Sequence, residues 1–145
     1  MDLDLTVGGQ EWIDNFVAAG LDAHRMGLGP IYATKKLFDK TGLSLKDIDL
    51  IEINEAFAAQ VIANIKAFAS EEFCQKAFNS PALGEIDESI LNVNGGAIAL
   101  GHPVGMSGAR IILTALKELK RRDKNRALAT LCIGGGQGAA FLLEI

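Results

Sequence analysis

The chain has 145 residues, of which 49% are hydrophobic and 22% are charged, and its formal net charge at pH 7 is -4. This length fits one domain with a sizeable core, and this composition is typical of a soluble globular chain. The apolar runs stop well short of the roughly 18 residues that a membrane span needs. The acidic start, MDLDLTVGGQEW, lacks the layout of a signal peptide, so we expect a cytoplasmic protein with no membrane partner.

Charge and cysteine content narrow the expected partners and cofactors. The negative net charge argues against nucleic-acid binding, although the segment from Lys117 to Arg126 holds six basic residues and two acids. That segment is either a solvated helix end, whose cations suit the negative pole of the helix dipole, or a phosphate contact. The two cysteines, Cys74 and Cys132, are expected to be free thiols. Cysteines and histidines show no zinc-ligand spacing, so no metal is expected.

Apolar spacing predicts two helices and one strand in the first half of the chain. The run from Pro30 to about Lys40 predicts a helix with proline in its first turn and Gly42 just past its end. A short apolar run after it predicts a buried strand that ends at Asn54, formed by Leu50, Ile51 and Ile53. The next periodic run predicts a helix that starts at Asn54 and buries one face, made of Phe57, Val61, Ile65 and Phe68.

The second half predicts two further helices and a pair of strands. Residues 70–89 suggest a short helix and then an irregular surface segment. The run SGARIILTALKELKRR predicts the most regular helix, with a buried face of Ala109, Ile112, Leu113, Leu116 and Leu119. Strands are expected at about 127–132 and 139–144, and the short GGGQG turn makes them antiparallel neighbours. The fold class is therefore α/β, a layered mixed β-sheet flanked by helices.

Three polar residues stand where ligands collect in layered α/β folds, near the carboxyl ends of strands. Asn54 follows one strand, Cys132 ends another, and His102 lies in the loop GHPVGMSG before the most regular helix. Each has a structural alternative. Asn54 would cap the helix that follows, Cys132 would pack as a small apolar group, and His102 would sit in a loop shaped by its glycines and proline.

The chemistry of these residues favours enolate or thioester reactions over phosphate binding. A thiol near a neutral imidazole can act as a base or a proton donor. Imidazole and amide groups can donate hydrogen bonds to a developing oxyanion, and the glycines after Cys132 leave backbone N–H groups uncovered for a second oxyanion hole. GGGQG has neither the spacing of a P-loop nor that of a dinucleotide-binding turn.

Three motifs resemble, in chain order, the signature blocks of the C-terminal half of thiolases, the acetyl-CoA C-acyltransferases: NEAFAAQ (54–60), NVNGGAIALGHPVGMSGARI (92–111) and CIGGGQGAAFLLE (132–144). The resemblance runs over about residues 16–145 and leaves 1–15 as a poorly matching N-terminal segment. It implies a thiolase-like half with a five-stranded mixed sheet. It also implies reversible thiolytic cleavage or Claisen condensation of acyl-CoA, with the coenzyme A thioester as substrate and no cofactor.

Carried onto this sequence, the resemblance implies a role for each candidate. Cys132 would be the acid/base that moves the α-proton of acetyl-CoA. His102 would activate the nucleophilic cysteine and donate to the thioester oxyanion, while Asn54 holds a water that completes that hole. Gly134 would give its backbone N–H to the second oxyanion hole. The acyl and pantetheine pocket would be lined by Met26, Ala56 and Phe57, although a methionine or a phenylalanine on an apolar helix face is usually a core residue.

One part of the family pattern is missing. Thiolases carry their nucleophilic cysteine in the N-terminal half, and no such block is present here. Cys74 is not expected to replace it, because Glu71 and Glu72 beside it oppose the charge of a thiolate. We therefore expect the chain to be inactive alone, to expose an apolar face, to need an N-terminal thiolase half in cis or as a separate chain, and to form a homo-oligomer.

Two other functions stay open. One is a non-catalytic binding or scaffolding module with a thiolase fold. The other, ranked lower, is a ketosynthase-like enzyme, which would have a second histidine where this chain has Asn54.

Overall fold

A computed structural model describes residues 16–145, so the predicted segment 1–15 lies outside the described residues. The strands are β1 (Phe16–Gly20), β2 (Leu50–Ile53), β3 (Arg126–Ile133) and β4 (Gln137–Glu144). The helices are α1 (Gly29–Thr41), α2 (Ala58–Ala69), α3 (Glu71–Phe78), α4 (Ala97–Leu100) and α5 (Ser107–Arg122), with 3₁₀ turns at Ala23–Leu28, Leu45–Asp47 and Glu88–Ile90. No helix in this part of the chain is long and apolar enough to cross a bilayer.

The strands form one mixed sheet in the order β1-β4-β3-β2, which confirms the α/β layered fold. The β3–β4 pair is antiparallel, as its short turn predicts, and β2 runs parallel to β3. β1 was missed by the sequence analysis, because FVAAG is short and rich in alanine and glycine, and it is held by antiparallel pairing with β4. Beside β2 a single parallel bridge joins Ile51 to Leu91, so the described residues form four strands rather than five.

Helix α1 packs on one face of the sheet, as predicted. Pro30 lies in its first turn, and it ends at Gly42, whose φ of 72° is left-handed. Its first residue rests directly on β4, since a Cβ added at Gly138 would come closer than 3.0 Å to the Gly29 backbone. The glycine pair therefore lets helix and strand backbones touch.

Helix α2 differs from its prediction at its start and on its buried face. It begins at Ala58, and Phe57 stands before it with a 60% exposed side chain, so the expectation that Phe57 is buried is wrong. A polar residue takes part in the buried face instead. Asn64 Oδ1 accepts from Ile31 N at 3.1 Å, and its Nδ2 donates to Gly27 O at 2.7 Å. These bonds tie α2 to the start of α1, which an apolar pattern does not reveal.

Helix α5 covers the other face of the sheet, and its predicted bounds are confirmed. Its buried residues are Ser107, Ile111, Ala115, Glu118 and Leu119. Of the predicted buried face only Leu119 is buried, whereas Ala109 and Leu113 are exposed. Ile112 and Leu116 are half-buried and pack against the core, so the predicted face is turned only partly away from the sheet.

The basic segment at the end of α5 is largely paired with acids. Arg121 and Arg122 both bind the buried carboxylate of Glu118. Two more cations are paired as Lys124 with Asp49 at 3.6 Å and Arg126 with Glu144 at 2.6 Å. These pairings favour the solvated helix end over a phosphate contact.

Candidate active site

The parallel pair β2 and β3 brings two of the candidates to one edge of the sheet. Ile53 pairs with Thr130, and Asn54 N donates to Thr130 O at 3.0 Å. Cys132 lies two residues beyond Thr130 on β3. Strand spacing then puts the Cα atoms of Asn54 and Cys132 roughly 6 Å apart.

Asn54 is 2% exposed and does not cap the following helix, because α2 begins at Ala58 with Phe57 in the cap position. The capping alternative is therefore wrong. Instead, Asn54 Nδ2 lies 3.5 Å from His102 Nε2. The Asn54 Oδ1 atom is buried without a hydrogen-bond partner among the described residues. An orphaned acceptor of this kind is free to bind a water or a ligand donor.

His102 is exposed in the loop between α4 and α5, and its tautomer follows from its neighbours. Its Nδ1 lies 2.7 Å from Ser107 Oγ, and that hydroxyl donates to Pro103 O at 3.2 Å. In the tautomer that satisfies both contacts, the hydroxyl gives its one hydrogen to Pro103 O and Nδ1–H donates to Ser107. The Nε2 atom is then an acceptor that faces Asn54. Ser107 is a site residue that the sequence analysis missed, and its signal was a polar residue on the inner side of an apolar helix.

Cys132 lies at the end of β3 with 9% of its surface exposed, and burial raises the pKa of its thiol. Side chains alternate along a strand, so Cys132 points to the same face as Thr130, whose Oγ1 lies 3.5 Å from Pro30 O in α1. His102 precedes α5 on the opposite face. Within residues 16–145 no hydrogen bond joins Cys132 to His102, so the predicted cooperation of this thiol with the imidazole stays a prediction.

The glycine turn after Cys132 has one glycine that fits a hydrogen-bond donor to a ligand. Gly134 is exposed, nothing lies within 4 Å of where its Cβ would be, and its N–H makes no hydrogen bond to another described residue. Gly135 and Gly136 have φ angles of 87° and 88°, which glycine adopts without strain. The turn conformation therefore requires Gly135 and Gly136, whereas Gly134 has a free N–H that suits the predicted role of oxyanion donor.

The predicted pocket residues lie around this edge on an open surface. Met26 is half-buried in the turn Ala23–Leu28, Ala56 is half-buried, and Phe57 is exposed. The core alternative therefore fails for Phe57. Two open hollows, of about 390 and 440 Å³, adjoin Lys35 and Asp39 of α1 and contain none of the predicted site residues.

An apolar surface surrounds His102 and continues along α5. We call it the apolar face, and it comprises Ile98, Leu100, Val104, Met106 and Leu113, each at least 40% exposed. Val104, two residues after His102, is 81% exposed. Exposed apolar residues gathered in one place, rather than scattered, mark an interaction surface.

Comparisons with known proteins identify the family of this chain. The family model described as "Thiolase, C-terminal domain" matches residues 10–145. A 3-ketoacyl-CoA thiolase of Aliivibrio fischeri strain MJ11 is 47% identical over 136 residues, which is 92% of this chain and 31% of the relative. The Paracoccus denitrificans acetyl-CoA acetyltransferase is 49% identical over 132 residues, which is 91% of this chain and 30% of the relative.

Solved structures give the same result. The crystal structure of the Bacillus anthracis acetyl-CoA acetyltransferase matches with a TM-score of 0.76 and 42% identity, over 90% of this chain and 29% of that one. Human mitochondrial 3-ketoacyl-CoA thiolase matches with a TM-score of 0.74 and 43% identity, over the same shares. The chain thus spans about 30% of the length of the relatives it matches and belongs to the thiolase family, as a C-terminal domain.

Proposed function

We propose that this chain supplies the C-terminal half of the active site of a thiolase. The complete enzyme cleaves 3-ketoacyl-CoA with coenzyme A, or forms 3-ketoacyl-CoA by Claisen condensation. The nucleophilic cysteine comes from an N-terminal half. The contact of Asn54 with His102, at the sheet edge where Cys132 lies near the end of β3, is the observation that carries the proposal. The names of the relatives, 3-ketoacyl-CoA thiolase and acetyl-CoA acetyltransferase, support this substrate class.

His102 acts first, through its Nε2 atom. Because Nδ1–H donates to Ser107, Nε2 is free to take the proton of the partner's nucleophilic thiol. The thiolate attacks the thioester carbonyl, a new C–S bond forms, and the old C–S bond breaks as the leaving thiolate departs. Once protonated, Nε2–H donates to the carbonyl oxygen, and a water on Asn54 Oδ1 completes that oxyanion hole.

Cys132 acts in the second half of the reaction. Its thiolate removes the α-proton of acetyl-CoA, and the resulting carbanion attacks the acyl carbon as the nucleophilic thiolate leaves. Burial raises the pKa of Cys132, which makes its thiolate a stronger base once formed. Gly134 N–H is exposed at the end of the same strand, suited to the enolate oxygen. In thiolysis the steps reverse, and Cys132 returns the proton to the α-carbon.

The partner of this chain is an N-terminal thiolase half that covers the apolar face. Leu113 of α5 is exposed together with the apolar residues around His102, and relatives are about three times as long as this chain. Burying a side chain as exposed as Val104 contributes about 1–2 kcal/mol. A homo-oligomer and a cytoplasmic location stay predictions of the sequence.

The test is reconstitution. The N-terminal part of the Paracoccus denitrificans acetyl-CoA acetyltransferase is mixed with this chain, and cleavage of acetoacetyl-CoA by coenzyme A is followed. Neither part should turn over alone, whereas the mixture should. His102→Ala is the matched control, since it should leave binding intact and abolish turnover. A folded, bound complex without turnover would instead indicate the non-catalytic binding module.

A further inference from the structure

Glu55, the residue after Asn54, has a carboxylate that joins two ends of one loop. Its Oε1 accepts from Asn92 Nδ2, and its Oε2 accepts from Ile98 N, each at 3.0 Å. Ile98 lies in α4, which ends at Leu100, two residues before His102. Glu55, which is next to Asn54, thus holds the helix that leads to His102.

Asn92 anchors the first end of this loop to β2. Its Oδ1 accepts from Ile53 N and its Nδ2 donates to Ile53 O, both at 2.9 Å. Its own N–H donates to Ile51 O at 2.8 Å. Asn92 is therefore fixed to the strand that ends in Asn54, and the Glu55 carboxylate extends this fixed unit to α4.

Gly96 shows how closely the loop is packed on the carboxylate. Its φ of -118° and ψ of -162° are extended backbone that any residue adopts. A Cβ added there would nevertheless lie closer than 3.0 Å to the carboxyl carbon and both oxygens of Glu55. A side chain at position 96 would therefore have to displace the Glu55 carboxylate, although the backbone conformation itself would accept it.

We propose that Glu55 is a positioning residue, which fixes the separation between Asn54 and His102 by holding the turn from Gly96 to His102 against the end of β2. The Asn54–His102 contact of 3.5 Å is already at the outer limit of a hydrogen bond, so a further shift breaks it. Misplacing a reacting group by about 1 Å can cost about 10²-fold in rate. The expected loss of rate rests on the proposed function, whereas the expected change in the distance between Asn54 and His102 does not.

Four variants test the assignment: Glu55→Ala, Glu55→Gln, Gly96→Ala, and Gly96→Ala combined with Glu55→Ala. The matched control is Glu71→Ala, because Glu71 Oε2 also accepts from a loop backbone, Ala82 N at 2.8 Å, away from the site. Glu55→Gln keeps one acceptor for Ile98 and loses the bond from Asn92. Should Glu55→Ala fail to fold, Glu55→Gln and Gly96→Ala carry the test.

In the reconstituted complex, Glu55→Ala and Gly96→Ala should each lower kcat by about 10- to 100-fold with KM changed less than about 3-fold. Gly96→Ala should add little once Glu55 is alanine, because the overlap is gone. Glu55→Gln should be intermediate, and Glu71→Ala should match the wild type. Independent, multiplying losses at positions 55 and 96, or a loss of stability at position 55 with unchanged kcat, would overturn the proposal.

NMR on the chain alone separates this proposal from the proposed function. The Asn54 side-chain amide and the His102 ring signals should shift in the Glu55 and Gly96 variants and stay in place in Glu71→Ala. If the wild-type complex has no turnover but these signals shift, the proposed function fails and the positioning assignment stands. Signals that stay in place in folded Glu55 variants would overturn the assignment.

Discussion

Glu52, in the middle of β2, makes the stability of this domain depend on pH. It is 4% exposed, its side chain points toward α5, and its carboxyl group makes no hydrogen bond to another described residue. Burial, together with the nearby carboxylates of Glu55 and Glu118, raises the pKa of Glu52 to about 7, and Arg110 opposes this shift. Between pH 4.5 and 7 the folded state thus holds a proton that the unfolded state has lost.

The sign and size of the effect follow from linkage. Since the folded state binds more protons in this range, the free energy of unfolding falls as pH rises. A pKa that moves from 4.5 to about 7 corresponds to a loss of about 2 kcal/mol between pH 5 and pH 8. Glu52→Gln keeps the shape of the side chain and carries no charge. The variant should therefore be the more stable protein at pH 8, with most of that gain gone at pH 5.

Urea unfolding of both proteins at pH 5 and pH 8 measures this difference directly. Glu85→Gln is the control, because Glu85 is an exposed carboxylate in the irregular segment after α3. The control should keep the wild-type dependence on pH. If Glu52→Gln loses stability from pH 5 to pH 8 as steeply as the wild type, the reasoning about this buried carboxyl is refuted.

Two further predictions concern the thiols and Glu118. Cys132 should be alkylated faster than Cys74, because Cys74 is fully buried with its Sγ 3.5 Å from Ala67 O. The alkylation rate of Cys132 should keep rising above pH 8.5, because burial raises the pKa of the Cys132 thiol. Peptide mass spectrometry after iodoacetamide labelling measures both rates, and equal rates would count against an accessible Cys132. The pKa of Glu118 is held at about 2 by hydrogen bonds from Arg121, Asn94 and Arg122, against the opposing effect of burial. The stability that the charged Glu118 contributes to the fold is therefore present above pH 4.5 and lost as pH falls toward 2. Glu118→Gln should destabilise by about 1–2 kcal/mol in urea unfolding at pH 7, and a loss that persists undiminished at acidic pH would contradict this cause.

Local patterns predicted the elements that carry their own signals. The start of α1 is marked by Pro30 and its end by Gly42, and the apolar run of β2 stops at Asn54. The GGGQG turn has the glycines that its φ angles require, so the β3–β4 hairpin was predictable. Parallel pairing of β2 with β3 then placed Asn54 and Cys132 at one edge.

The differences arise where a residue's environment depends on distant parts of the chain. The apolar positions of α5 extend beyond its buried stripe to the exposed Leu113, so periodicity alone could not tell which of them meet the sheet. Cys132 and His102 are both near strand or helix ends, yet no hydrogen bond joins them within the described residues, and spacing along the chain does not encode their separation. Glu55 and Ser107 act through single hydrogen bonds to loop atoms, and no pattern of residue types shows these.

The most direct test of the account is the role of Cys132 in the reconstituted complex. Cys132→Ser should still transfer a labelled acetyl group from acetyl-CoA to the partner's cysteine, because that step uses His102. Its exchange of the acetyl-CoA α-protons with deuterium from solvent should fall by at least about 10²-fold, because the base is gone. Exchange at the wild-type rate in Cys132→Ser would contradict the claim that this thiol moves the α-proton.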